Sequence, residues 1–226
     1  MALSICFQSD VRTLSILVFL VVVFQSRLGL EWTRPLKRGG LVRFSVRVGS
    51  FIYPLLFGVF PSSSLSLQAL AIGILIPIPA LASEMRNIRM GLSKNFLAIL
   101  GPISTKEKMR LGLRDSLAGI CQEYLYRSLL LFAFVDALGW AAVAFTAFLF
   151  VIEHQLHAGA SWDLQDIAIH AYLGLALGAL CYTSETWWPA VLGHSIFNLP
   201  NIVQTLRRPN EANMEPRSSA APSRPS

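Results

Sequence analysis

Long apolar runs decide what this chain can fold into. From LSILVFLVVVF (residues 14–24) onward, apolar stretches recur as far as residue 206, separated by short polar or basic segments. A spanning helix needs roughly 20 predominantly apolar residues to cross a hydrocarbon core about 30 Å thick. Backbone groups in lipid must be satisfied within the chain, so such runs select helices. Only 14% of the 226 residues are charged, against roughly a quarter in a soluble domain. The expected fold is therefore all-α: a polytopic transmembrane helical bundle of about seven spans.

The spans are expected at 12–30, 42–60, 65–82, 111–134, 138–156, 165–183 and 186–206. The first run has no small-residue cleavage site after it and meets Arg27, so a span is favoured over a signal-peptide core. Pro77 and Pro79 predict a kink in the third span. In 84–110 the apolar piece FLAIL is too short to cross and reads as an interfacial segment. Trp187 and Trp188 read as an aromatic anchor at one membrane face. The chain divides into N-terminal spans and basic loops (1–105), a core (106–206) and a Pro/Ser/Ala-rich tail (207–226) expected to be disordered. No internal repeat is visible, which argues against a transporter of two related halves.

Lys and Arg cluster in 27–47, 86–114 and the tail, while the loops near 61–64, 135–137 and 183–186 have none. The positive-inside rule then puts the N-terminus outside and the C-terminus in the cytoplasm. The net charge of +6 is spread in short clusters between apolar runs. It reads as a topology signal and excludes a nucleic-acid partner. Cys6, Cys121 and Cys181 are far apart and form no CxxC pair. Cys121 and Cys181 are expected as small buried apolar side chains.

Three polar sites interrupt the later spans. In CQEYLYRSLLLFAF (121–134), Glu123 and Arg127 are four apart and share a helix face. Gln122 lies about 100° around the helix from Glu123 and need not face the same way. In FVIEHQLH (150–157), Phe150 and His154 are four apart, and His157 follows one turn later. In HSIFN (194–198), His194 and Asn198 share a face. Singly, each has a structural reading: an ion pair for Glu123–Arg127, a helix contact for His154, an interfacial position for His157. Asp166 and His170 read as a local pair or as lining an entrance, and Glu153 is expected on a different face from His154. Together the three sites supply carboxylate, imidazole, amide and guanidinium. Around one cavity such a set can activate water and stabilise an oxyanion during cleavage of an amide bond.

The order and spacing of these sites resemble the CPBP family of intramembrane proteases, which includes the CAAX prenyl endopeptidases of the Rce type and related bacterial Abi-like membrane proteins. That family carries E-E-x-x-x-R, F-x-x-x-H and H-x-x-x-N/H on successive spans. The counterparts here are QEYLYR (122–127), FVIEH (150–154) and HSIFN (194–198). The resemblance covers roughly 110–205 and implies an intramembrane endopeptidase acting on membrane-associated protein or peptide substrates within the bilayer. It implies that Glu123, His154, His194 and Asn198 are catalytic, with Gln122, Arg127 and Phe150 supporting. His154 would help a glutamate activate water, and His194 and Asn198 would hold the oxyanion.

The sequence departs from the family at Gln122, which stands where the first glutamate does. An amide accepts no proton, so Glu123 is expected to supply the base. The rival expectation is a catalytically inactive membrane scaffold or immunity-type protein of the same fold. The spacing is not HExxH, so the reading is metal-free, with zinc the less favoured option. Compactness and the lack of eukaryotic targeting signals suggest a multi-pass protein of a bacterial inner membrane, for which prenylated substrates are not expected.

Overall fold

The computed structural model describes residues 66–158 and 163–211, together with Thr13, Ile16, Leu17 and Leu20, which are helical. For 156–158 it describes the backbone alone. The rest of the expected first span, the second span and the tail beyond residue 211 lie outside the described residues, as does the side chain of His157.

The described residues are all helix and turn, apart from an isolated parallel bridge between Ile103 and Asn210. Ser66 opens α1 (Leu67–Leu75) by accepting from the Ala69 N–H. Ile76 keeps helical dihedrals, and α2 (Pro77–Ser83) starts on a proline. At the first helical position the missing N–H would be unsatisfied anyway, so the proline costs little. The sharp bend comes later. Leu67–Ser83 and α3 (Met85–Gly91) meet at 78°, with Glu84 between them, so the turn lies beyond the prolines that predicted it. The Ile76 carbonyl accepts from Tyr172 at 2.9 Å, which ties this break to a later helix.

Ser93 caps the short α4 (Lys94–Ile99), and FLAIL ends there. Ser104 caps α5 (Thr105–Glu123). This helix runs without interruption through a π-helical segment (Tyr124–Leu130) into α6 (Leu131–Leu138). Gly139, with φ +53° and ψ −131°, ends it in a conformation open to glycine. Then come α7 (Ala141–Ala158), α8 (Leu164–Ser184) and α9 (Trp188–Arg207). Among the described residues α8 alone is long and apolar enough to cross a membrane as one helix. The bent α1–α3 unit is a second candidate as a broken span, and Ala141–Gln155 is a shorter apolar helix.

α7 packs on α8, and α9 packs on α5 and α1. One core cluster joins Leu125, Leu129 and Leu130 to Phe150; another joins Leu131, Ala142, Leu177 and Ala190. Small residues let membrane helices approach closely. A Cβ on Gly73 would stand 2.5 Å from the Pro189 carbonyl oxygen, and one on Gly193 2.8 Å from the Gly73 oxygen. α1 and α9 therefore touch backbone to backbone, which places His194 one residue past the crossing.

Cys121 and Cys181 are buried and free, as expected. Trp187 departs from its expectation. It is buried, packed edge-on against Tyr124 at 5.5 Å and stacked on Trp188, while Trp188 is exposed. An indole ahead of the first turn of α9 turns inward onto the π-helical segment, so one tryptophan remains for the surface. The start of the tail differs too. Arg208 donates from Nε to the Gly101 carbonyl at 3.1 Å, and Lys108 donates to the Arg208 carbonyl at 2.6 Å. With five residues between α4 and α5 and the end of α9 directly opposite, the two segments satisfy each other's backbone.

Candidate active site

Each helix around the site lines it with an i, i+3, i+4 stripe, the pattern of a single helix face. From α5 come Gly119, Gln122 and Glu123; from α7, Phe150, Glu153 and His154. From α8 come Asp166, Ile169 and His170; from α9, His194, Phe197 and Asn198. They enclose one cavity of about 620 Å³. Of the seven residues named from the motifs, all but Arg127 line it. Arg127 lies behind the wall, bonded to a residue that does.

Glu123 is the last residue of α5, and the π-helical segment starts at the next position. Widened i→i+5 turns inside α-helices often mark functional sites. All seven residues of this turn are buried. Arg127, on its inner side, is 1% exposed and lies 3.2 Å from Glu123 Oε2. Its guanidinium sits 4.5 Å from the Phe150 ring centre and 5.7 Å from that of Tyr126. Two aromatic faces thus share the charge with one carboxylate. Phe150, the first residue of its motif, is the floor on which the arginine rests.

The other Glu123 oxygen accepts from His194 Nδ1 at 2.6 Å, in a fully buried contact. Nδ1 therefore carries a proton, and Nε2 is the nitrogen left for the cavity. Glu123 with Arg127 and a protonated His194 would carry a net charge of +1, suited to a developing anion. Nε2 of His194 and Nδ2 of Asn198 also converge. A Cβ built on Gly119 would stand 3.9 Å from the first and 3.4 Å from the second. The Asn198 amide N–H and His194 Nε2, a donor when the ring is protonated, thus face one small space that only a residue without a side chain leaves open.

His154 Nδ1 lies 2.9 Å from the Phe150 carbonyl oxygen, which can only accept. In the neutral ring the lone pair therefore sits on Nε2, as a base or relay requires. His170 stacks against His154 with ring centres 4.3 Å apart, and its Nδ1 meets the backbone carbonyl of Asp166 at 2.8 Å. The expected local pair is thus made through the Asp166 backbone, and His170 belongs to the cavity.

Two expectations about facing change. Gln122 and Glu123 both line the cavity, and so do Glu153 and His154. A 100° step does not separate neighbours when the cavity is wide and the stripe includes i+3 and i+4. Gln122 donates from Nε2 to Glu153 at 3.0 Å (Oε2) and 3.3 Å (Oε1), and Tyr126 Oη lies 3.4 Å from Oε2. Glu153 Oε2 is also 3.7 Å from His154 Nδ1. Glu153, Gly119 and His170 are the site residues that motif matching passed over. The stripe pattern 119/122/123 and 150/153/154 was the available signal. Among the described residues no group of three or more His, Cys, Asp or Glu side chains is arranged to hold a metal ion.

The described residues form a helical fold, with one helix long and apolar enough to cross a membrane, that gathers acid, imidazole and amide groups around one cavity. Residues 114–200 match the family model of type II CAAX prenyl endopeptidase Rce1-like proteins. This segment, well under half of the chain, holds every motif residue named above and is similar to the Rce1-like endopeptidases. That family is membrane-embedded and proteolytic. No curated protein and no solved structure matches the chain.

Proposed function

We propose that this chain is a multi-pass intramembrane endopeptidase that cleaves a membrane-associated protein or peptide. The observation that carries the reading is the convergence of His194 Nε2 and Asn198 Nδ2 on the space beside Gly119, in the cavity that also holds His154. A scissile carbonyl beside Gly119 would meet both nitrogens. Its oxyanion would form beside the Asn198 amide N–H and would be met by His194 once that ring is protonated, with Glu123 and Arg127 behind it. Donors fixed in advance are worth roughly 10²–10³-fold in rate each. Water is activated on the other wall, beside His154. The mechanism needs no metal. Gln122 favours a second reading, an inactive scaffold that keeps the fold to bind a partner protein.

The two readings separate in cells. Membrane proteomes of cells making the wild type, His154→Ala or Gly119→Leu are compared for new protein termini. The expected result is one or more membrane proteins cut with the wild type alone, all three forms accumulating equally. Gly119→Leu would fill the space beside His194 and Asn198 without replacing a titratable group. If the wild type yields no terminus that the variants lack, the scaffold reading stands.

The proposed protein lies in a cell membrane with its C-terminus in the cytoplasm, on the Lys/Arg asymmetry of the loops. A reporter fused after Ser226 is expected to read cytoplasm and one inserted at Ser63 the outside. An outside reading at the C-terminus would make the span count wrong by an odd number.

A further inference from the structure

We propose that Glu153 is the water-activating carboxylate of this site, held in place by Gln122 and Tyr126. The inference rests on the endopeptidase reading and names the base that it lacks.

Three carboxylates reach the cavity from the helices that carry the motifs: Asp115, two turns before Glu123 and held by Arg114 at 2.7 Å, Glu123 itself, and Glu153. The surroundings of the last two differ. Glu123 has one oxygen 2.6 Å from His194 and the other 3.2 Å from Arg127, and it is fully buried. Both of its oxygens are thus engaged by groups that hold it in place, one on each side. Glu153 is also buried, at 2% exposure, but Gln122 and Tyr126, which hold its carboxylate, are neutral donors. They orient its oxygens. Glu153 is also the carboxylate adjoining His154, with Oε2 3.7 Å from the ring.

The same contacts account for glutamine at position 122. A glutamate there would bring a second carboxylate within about 3 Å of Glu153, and like charges at that distance do not both ionise. An amide instead donates to both Glu153 oxygens. Gln122 and Glu153 thus form a compensating pair, with the carboxylate moved from α5 to the facing helix α7. In the step itself, Glu153 takes a proton from water as the water oxygen bonds to the scissile carbonyl carbon. The oxyanion collapses, the C–N bond breaks, and the proton held by Glu153 passes to the leaving nitrogen. The products are one carboxylic acid and one amine, and the carboxylate is regenerated.

The test uses the full-length protein in lipid nanodiscs. The substrate is the cut membrane protein identified by the proteomic comparison above. Glu153→Gln is expected to lower kcat at least 100-fold, the lower bound for losing a general base, with KM little changed. The exchanged variant Gln122→Glu/Glu153→Gln keeps the amide–carboxylate pair with its ends reversed. It is expected to recover at least a tenth of wild-type kcat, and Glu153→Gln melting within a few degrees of wild type separates its loss of kcat from a merely structural one. Glu153→Gln cleaving within threefold of wild type overturns the assignment of Glu153 and leaves the endopeptidase reading intact. Loss in Glu153→Gln with no recovery in the exchanged protein, both forms folded by thermal melt, overturns it equally. A wild type that cuts nothing overturns the endopeptidase reading itself, and this inference with it.

Discussion

Arg127→Met is expected to destabilise the protein by about 3–5 kcal/mol, the usual cost of leaving one half of a buried ion pair without its partner. Arg127 is 1% exposed, Glu123 is 0% exposed, and they are 3.2 Å apart. Methionine keeps much of the volume over Phe150 and Tyr126, so the loss reports charge rather than a cavity. Its removal leaves the Glu123 carboxylate with His194 alone in a site closed to water. The measurement is equilibrium unfolding in detergent micelles. The double variant Glu123→Gln/Arg127→Met should regain most of the stability, because a pair replaced together leaves no buried charge. It should regain no activity. Equal unfolding midpoints for Arg127→Met and wild type would mean that the pair contributes nothing to folding.

Glu123→Gln is expected to reduce the cleavage rate by about 10³–10⁴-fold, the scale seen when the carboxylate behind a working imidazole becomes an amide. The glutamine oxygen can still accept from His194 Nδ1, so the ring should stay roughly in place. The amide brings no charge, and the protonated ring loses the group 2.6 Å away that balances it. Single-turnover cleavage in nanodiscs, with substrate binding followed separately, measures the effect on chemistry alone. Binding should stay within a fewfold of wild type. A Glu123→Gln protein cleaving at the wild-type rate would show that the Glu123–His194 contact plays no part in the reaction. Combined with Glu153→Gln, the loss should exceed either alone only slightly, since residues acting on one transition state are non-additive.

Much of this protein was legible before any coordinates. Hydropathy alone selects helices, because lipid offers no partner for an open backbone. The later helices were placed within a few residues: 165–183 and 186–206 were expected where Leu164–Ser184 and Trp188–Arg207 are found. The four-residue spacing of Glu123 and Arg127 specified their contact, since local geometry on one helix depends on little else. The order of QEYLYR, FVIEH and HSIFN pointed to the family that residues 114–200 match.

Relations between helices were not legible. Nothing in the periodicity of α5 or α7 says that Gln122 and Glu153, thirty-one positions apart, face each other at 3.0 Å. Reading each helix alone, a 100° step between neighbours suggested different faces. In the fold those steps open onto one cavity that both members of each neighbouring pair line. Trp187 failed as a surface anchor for the same reason. Its amphipathic character fits an interface or a core, and the choice depends on Tyr124 standing 5.5 Å away on another helix. Sequence determined which segments are helices and which polar groups they carry, because those follow from contacts within a few residues. Tertiary structure alone decided that Gln122 meets Glu153 and that Glu123 meets His194, because those distances depend on the packing of separate helices.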